Sequence, residues 1–573
     1  MNRVRPFLLV TVLAMSPLAG AHGQPSPGQL TPPPGPRTET QPPAGTISIP
    51  PSAPTAAPPG AANVELVVGG ITIEGGFLEL DAATRAQVDG AAGKRVRVAD
   101  VYGIAAAVER SYAARGYFLT RVVIPPQQVR DGGTLIFRVV DGYIESVDTS
   151  ALPRAIRSRV QGVVSQLVGK RHLRLPELER RLLLAGDTPG ATLRSTIVPG
   201  REAGGVRLVL NGDHRLVDGE VAFDNSLSSD LGVVTVTTSL SVNSPFGFGE
   251  QIYGLVGGPP HHGFIGSTSV RRFGVAGASV PLGFDGLLLN LEGVYSTIHP
   301  LPSPGTLLTE SDYFRLSARM LYPVIRTRSE TLTVRLGFEV INENQRAPGF
   351  ATTLYADRVR PLRVGSTWNR LFDTGTTVML SGDLSRGLGI FGSRGRNDAT
   401  AARPISRAAA DDDFTKAEIR ARIFQQLPKG FGVEGTFHGQ YAFNGSLVNA
   451  EQFTLGGPRR LSAYDQSTLA GDHGWLLRGE LQYSELFDVG PMRVLLTPYG
   501  FASRGVVYLD SPTATEFSST GAWSVGFGLR SVMSNFINVV REGELGFEVA
   551  RQISDRAGTL DTWRINVNGA IRF

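Results

Sequence analysis

The chain ends Trp563-Arg564-Ile565-Asn566-Val567-Asn568-Gly569-Ala570-Ile571-Arg572-Phe573, and this stretch decides the fold. Trp563, Ile565, Val567, Gly569, Ile571 and Phe573 share one face, while Arg564, Asn566, Asn568, Ala570 and Arg572 share the other. A side-chain period of two is that of a β-strand with two chemically different faces. The alternation recurs upstream. Phe314, Leu316, Ala318, Met320 and Tyr322 alternate with Arg315, Ser317 and Arg319. Leu332, Val334, Leu336, Phe338 and Val340 alternate with Thr333, Arg335, Gly337 and Glu339. Trp475, Leu477, Gly479, Leu481 and Tyr483 alternate with Leu476, Arg478, Glu480 and Gln482.

A soluble sandwich would alternate too, with its apolar faces joined in a core. Arginines on the polar face, aromatics near strand ends and a terminal Phe573 point instead to a transmembrane barrel. A terminal aromatic is also the usual address read by the outer-membrane assembly machinery. In hydrocarbon every backbone N–H and C=O must be paired, so a sheet can span only if it closes. Roughly 355 residues at about 22 per strand and turn predict about 16 antiparallel strands over 213–573.

The other end of the chain agrees with export. Arg3 and Arg5 precede a short apolar run over 7–15, and Ala19-Gly20-Ala21 offers a cleavage site, with Ala21-His22-Gly23 as a slightly later choice, the pattern of a signal peptide over 1–21. No other segment approaches the roughly 20 apolar residues of a membrane helix. Residues 22–63 are rich in Pro, Gly, Ala, Ser and Thr and read as an extended linker. The chain has 573 residues, with Lys+Arg 56 against Asp+Glu 51, and the positive charge is nearly all arginine. Those arginines are spread along alternating segments, not gathered in a stripe, so nucleic acid is not the expected partner. Cysteine is absent, which excludes disulfides, Cys-ligated zinc and Cys nucleophiles.

Between the linker and the barrel the pattern is mixed α and β. Over 64–142, a strand at 64–73 leads to a helix that Asp100 could cap, with Val101, Ile104, Ala105, Val108 and Tyr112 on its apolar face. Strands are predicted at 117–124 and 134–140. Over 143–212, helices at 153–167 and 175–184 precede strands at 191–198 and 206–210.

At this point the residues resemble a known family. Arg115-Gly116-Tyr117-Phe118, Ile124-Pro125-Pro126-Gln127 and Asp131-Gly132-Gly133-Thr134-Leu135 are similar to the first POTRA domain of two-partner secretion transporters. The stretch from Leu178-Glu179 through Asp187-Thr188-Pro189-Gly190 to Pro199-Gly200 resembles their second POTRA domain. Asn243-Ser244-Pro245-Phe246-Gly247-Phe248-Gly249-Glu250 resembles an early barrel turn. Leu455-Gly456-Gly457-Pro458-Arg459-Arg460-Leu461-Ser462-Ala463-Tyr464, followed by Gly471-Asp472-His473-Gly474 and Glu480-Leu481, looks like their signature loop. The likeness runs over 64–573 and implies two α+β POTRA domains feeding an all-β barrel of 16 strands, with a loop near 453–474 folded into the lumen.

In that family the loop carries an Arg that pairs with an Asp of a barrel motif. Here alignment places Ser462 at the Arg position, and Ser503 of Phe501-Ala502-Ser503-Arg504-Gly505 at the Asp position. Both charges are missing together, which avoids stranding one of them buried. The expected consequence is a loop held by a weaker Ser–Ser bond, or by Arg459 or Arg460 on lumen carboxylates, with Arg460 in a shifted register as the alternative.

The resemblance implies a transporter that secretes an unfolded exoprotein of adhesin or cytolysin type without ATP. POTRA domains in the periplasm would capture the client, and the lipid bilayer and the assembly machinery would be the other partners. The alternatives are an insertase for other outer-membrane proteins, and a passive porin, which would need no N-terminal domains. No catalytic motif, cofactor site or metal site is expected. His261-His262 reads as a turn and Asp411-Asp412-Asp413 as a solvated loop, since neither has ligand spacing. The proline-rich lead leaves a plug helix ahead of the linker in doubt.

Overall fold

A computed structural model describes residues 26–30, 45–47, 57–260, 269–302, 307–537, 540–555 and 562–573. The signal-peptide stretch, most of the proline-rich lead and His261-His262 lie outside the described residues. No helix among those described is long and apolar enough to cross a membrane.

Strands from Val217–Asp224 to Trp563–Arg572 form one closed antiparallel barrel. Two of its strands are interrupted, one between Thr352–Val359 and Pro361–Leu371, the other between His473–Tyr483 and Glu485–Val489. Each broken pair lies along a single partner strand, so the wall has 16 strands as expected. The last strand closes on the first, from Asn568 opposite Asp224 to Arg572 opposite Glu220. Phe573 and Gly219 then exchange two backbone bonds of 3.0 Å each. A Cβ on Gly219 would sit 2.3 Å from the Phe573 ring, so the ring lies where only a glycine leaves room.

The faces are inverted relative to a soluble protein. Leu316, Leu336, Leu477 and Leu481 are exposed, whereas Arg315, Arg319, Glu339, Arg478 and Glu480 are buried. The apolar face meets hydrocarbon, and the charges turn inward. They are paired there: Arg315 and Arg319 with Glu292 at 3.3 and 3.2 Å, Arg363 with Glu339 at 3.0 Å, and Arg335 with Asp383 at 2.5 Å. The lumen is therefore laced by ion pairs.

Ahead of the barrel are two small four-stranded sheets, each with two helices. In the first, Asp100 sits at the third position of the helix Val98–Ala114 and accepts from the Arg97 N–H, so the cap residue is Arg97, three residues earlier than Asp100. Val101, Ala105, Val108 and Tyr112 are buried as the spacing predicts. A helix at Ala82–Asp89 had no sequence reading; Asp81 caps it by accepting the Thr84 N–H at 2.9 Å. That bond, with the Ser111 and Thr84 hydroxyls, holds the Asp81 carboxyl well below the usual range. The predicted strand at 117–124 shrinks to Arg121–Val123, because residues 117–120 turn instead.

The second sheet takes its first strand from the supposed linker. Gly45–Ile47 pairs in parallel with Ala191–Pro199. Strand Tyr143–Asp148, also unread in the sequence, forms the opposite edge. This domain is bolted to the near rim of the barrel. Arg326 clasps Asp187 at 2.6 and 3.0 Å, and Arg180 donates to the Pro323 carbonyl at 2.8 Å.

Candidate functional site

The longest inward excursion runs from Ala442 to His473. Phe453–Thr454 pairs with Ala470–Gly471, which makes a narrow hairpin whose tip holds the motif residues. Leu455 and Leu461 are fully buried, and with Phe453, Ala463 and Tyr464 they pack on Leu476, Tyr499, Phe501 and Val507 of the wall. Glycines make the approach possible. A Cβ on Gly456 would meet the Asp465 carbonyl at 1.9 Å, and one on Gly505 would meet Leu455 at 2.6 Å. Gly457, at φ 115°, turns the chain into the tip.

The hairpin lies inside the lumen, where the resemblance places it, but its clamp is new. Ser462 and Ser503 do not bond one another. Ser503 donates to the Ser524 carbonyl at 3.1 Å, while Ser462 Oγ accepts from Arg478 at 2.9 Å. Arg478 also donates to Glu480 at 2.7 Å and to Glu548 at 2.8 Å, and its guanidinium lies 3.7 Å from the Phe501 ring centroid. It is 2 % exposed, the largest side chain so deeply buried. The charge that holds the loop therefore stands on the wall, and the loop offers only a hydroxyl. Two carboxylates and a ring face compensate a cation that could not otherwise be buried.

Further bonds repeat the attachment around the tip. Ser524 Oγ accepts the Ala463 N–H at 3.0 Å, Asn566 donates to the Ser462 carbonyl at 2.8 Å, and Tyr464 donates to the Ile553 carbonyl at 3.1 Å. Asp465 is ion-paired to Arg564 of the last strand. Arg460 does not replace the missing charge on a carboxylate. It bonds His438 at 2.7 Å, and His438 in turn meets Glu418 at 2.6 Å. Arg459 reaches Glu434 at 3.5 Å from an exposed position.

The base of the loop is fixed separately. Asp472 accepts the Leu447 and Asp510 N–H groups at 2.8 Å each, spanning two loops. Glu451, 1 % exposed, takes Arg363 at 2.6 Å and Lys416 at 2.8 Å. Sequence reasoning named Asp472 and missed Glu451, Arg478 and Glu548. Arg478 and Glu480 stood in the sequence as polar positions of a good strand, and that pattern gives no hint of what they meet across the lumen.

The N-terminal stretch read as linker also enters the lumen. Pro27–Leu30 forms one helical turn among Tyr313, Glu343 and Ala450. Gln29 donates to the Asn449 carbonyl at 3.0 Å, and the Gln29 carbonyl accepts from Ser467 at 3.1 Å. Arg271 donates to the Leu30 carbonyl at 2.6 Å. A four-residue turn has no periodicity to read, and only these tertiary contacts hold it.

The POTRA motif residues meet the domain junction. The Gly116 carbonyl accepts the Leu175 N–H at 2.8 Å, and the Tyr117 hydroxyl accepts Arg174 at 3.0 and 3.2 Å. Gln127 bonds both backbone groups of Ile136, at 2.9 and 3.1 Å, and extends the sheet where the half-buried Pro125 ends it. Asp411 and Asp413 pair with Arg396 and Arg386 in an outer loop.

With a closed barrel, an inward loop and two sheets at the near rim in place, the comparisons with known proteins decide the assignment. The haemolysin secretion/activation protein family ShlB/FhaC/HecB matches residues 205–531, more than half of the chain, and a ShlB-type POTRA domain matches 66–142. The chain belongs to that family. It is 25% identical over 480 residues to the hemolysin transporter protein ShlB of Serratia marcescens, covering 81% of this chain and 80% of ShlB. It is 23% identical over 460 residues to the heme/hemopexin transporter protein HuxB of Haemophilus influenzae, covering 76% and 75%. Among solved structures, CdiB from Escherichia coli shares the fold at TM-score 0.70 and 19% identity, over 91% of this chain and 94% of that one. This family member is an outer-membrane transporter that secretes a partner exoprotein.

Proposed function

We propose that the structure is the closed, resting form of the transporter, in which loop 443–472 and the turn Pro27–Leu30 together block the lumen. The observation that carries this reading is the attachment of the loop tip by Arg478, Ser524, Asn566 and Arg564 on the inner wall. A polypeptide could pass only after these contacts yield. The client arrives unfolded at the POTRA domains, whose sheet edges can pair with an extended strand. It then displaces the loop, and its folding outside draws the remainder through without nucleotide. An adhesin or cytolysin of repetitive β structure fits this route, since it folds progressively from the leading end.

The chain has no cysteine, so one engineered pair can test the movement. Ala463→Cys with Ser524→Cys places two thiols where the Ala463 N–H meets Ser524 Oγ at 3.0 Å. Oxidation is expected to arrest secretion, and reductant to restore it. Secretion that continues through a fully cross-linked population would refute the displacement of the loop. Deleting residues 64–210 is expected to abolish secretion while the barrel still assembles.

A further inference from the structure

On the outward face of the wall, arginines gather that form no ion pair among the described residues. Glu343 and Asp357 stand opposite one another and are buried on the inner face. By alternation Arg358, Arg360, Leu362 and Val364 face outward. Leu362 and Val364 are exposed in the apolar belt, and the two arginines continue that face toward the rim remote from the POTRA domains. The loop that follows Thr376–Gly387 folds back over them. Leu388 N–H donates to the Arg360 carbonyl at 3.1 Å, and Arg394 N–H to the Arg358 carbonyl at 2.9 Å.

Arg360 is buried, yet its guanidinium meets only neutral acceptors: the carbonyls of Val359, Ile341 and Phe391 at 2.8, 2.9 and 3.2 Å, and Asn342 Oδ1 at 3.1 Å. Arg394 likewise donates to the carbonyls of Ala356, Asp398 and Arg403. Among the described residues, no carboxylate lies within ion-pair distance of Arg358, Arg360, Arg394 or Arg403. The nearby acids are engaged elsewhere. Asp413 holds Arg386, Asp411 holds Arg396 and Asp312 holds Arg346; Asp398 accepts the Gly395 N–H, and Asp357 accepts the Ser406 N–H from the inner side. Burial, and then the like charges of Arg403 and Arg358, push the Arg394 guanidinium down against the smaller opposing pull of Asp357 and Asp398. Such a cluster is complementary to an anion.

The second feature is apolar. Phe391 stands at the tip of the same loop at φ 49°, a conformation strained for a bulky L-residue, and is 75% exposed beside the exposed Ile390. Its ring lies 6.2 Å, edge to face, from Phe338 of the outward wall. An aromatic held against the apolar belt with guanidinium groups above it is the arrangement of a membrane interface.

We propose that Arg358, Arg394 and Arg403, with Arg360 beneath them, bind the phosphate of an outer-leaflet lipid while Ile390 and Phe391 insert among its acyl chains. The bound lipid fastens loop 388–414 to the membrane surface. That loop also reaches the base of the lumen loop, where Ser406 accepts the Asn449 N–H at 3.0 Å.

The test uses the purified full chain in detergent, titrated with bisphosphorylated lipid A and read by native mass spectrometry. Dephosphorylated lipid A and inorganic phosphate serve as separate arms. The double variant Arg358→Gln with Arg403→Gln removes two charges, and neither side chain makes a hydrogen bond or ion pair among the described residues. It is expected to weaken binding of bisphosphorylated lipid A on the order of tenfold, with dephosphorylated lipid A comparably weak on the unaltered protein. Phe391→Ser is expected to weaken lipid binding with the barrel still heat-modifiable on electrophoresis. Equal binding by the double variant, or equal binding of the dephosphorylated lipid, overturns the proposal. Displacement of the lipid by an equimolar amount of inorganic phosphate also overturns it, because the site would then recognise phosphate without the lipid.

Discussion

The two faces of the strand His473–Tyr483 obey different rules. Leu477 and Leu481 point outward into hydrocarbon, where any side chain of similar polarity would serve. Arg478 and Glu480, one position away, point inward: Arg478 meets Ser462 of the lumen hairpin and Glu548 of the strand Val540–Ser554, and Glu480 meets Arg478 and Arg530. The outward face is specified by solvent alone, and the inward face by partners far apart in sequence. Generic chemistry therefore builds the wall of this transporter, and individual contacts hold its lumen loop.

Substitutions on that one strand can break the contrast. Arg478→Leu leaves the buried carboxylate of Glu548 with the Tyr499 hydroxyl in place of an ion pair, while Glu480 keeps Arg530, and is expected to cost about 3–5 kcal/mol. Its signature is protease sensitivity of loop 443–472 and a higher ion conductance in planar bilayers. If the loop stays protected, Arg478 is not what holds it. Leu477→Arg reverses the outward face and is expected to cost about 2–4 kcal/mol if that residue lies near the bilayer midplane. Urea unfolding in liposomes measures it, and the lumen loop is expected to remain protected until the barrel itself opens.

Smaller changes sharpen the comparison. Ser462→Ala deletes one accepted bond and is expected to cost about 1–2 kcal/mol, since Arg478 keeps two carboxylates. A modest rise in conductance without loss of barrel stability is the expected reading. Leu477→Ala on the lipid side is expected to cost about 1–2 kcal/mol, the transfer term without a cavity term, because acyl chains fill the space that a protein core could not. A loss comparable to that of a buried leucine would mean that this face is covered by protein.

Legibility followed the same divide. The strands around Phe314, Leu332, Trp475 and Trp563 were readable because alternation is a local property with a period of two. The motif around Gly456 and Ser462 announced an inward loop, and its missing arginine and aspartate were visible in advance. What replaced them was not. Of the expected holds, Arg459 does reach the lumen carboxylate Glu434, but a Ser–Ser contact and Arg460 on a carboxylate failed, because the compensating cation lies on the wall, 16 residues further along the chain at Arg478. The lead was misread for a related reason. Pro27–Leu30 and Gly45–Ile47 are too short to carry a pattern, and they are ordered only by the barrel and by the second of the two small sheets.

The sequence by itself determined that this chain is a membrane barrel preceded by two α+β domains, since face chemistry and periodicity are written residue by residue. It determined as well that the residues from Trp563 onward form a strand with one apolar and one polar face. Only the tertiary structure decided that Phe573 packs against Gly219 to close the wall, that the lumen arginines are paired, and that the loop is held by a wall arginine. Those outcomes depend on which side chains meet across the lumen, and strand order and barrel closure set those distances.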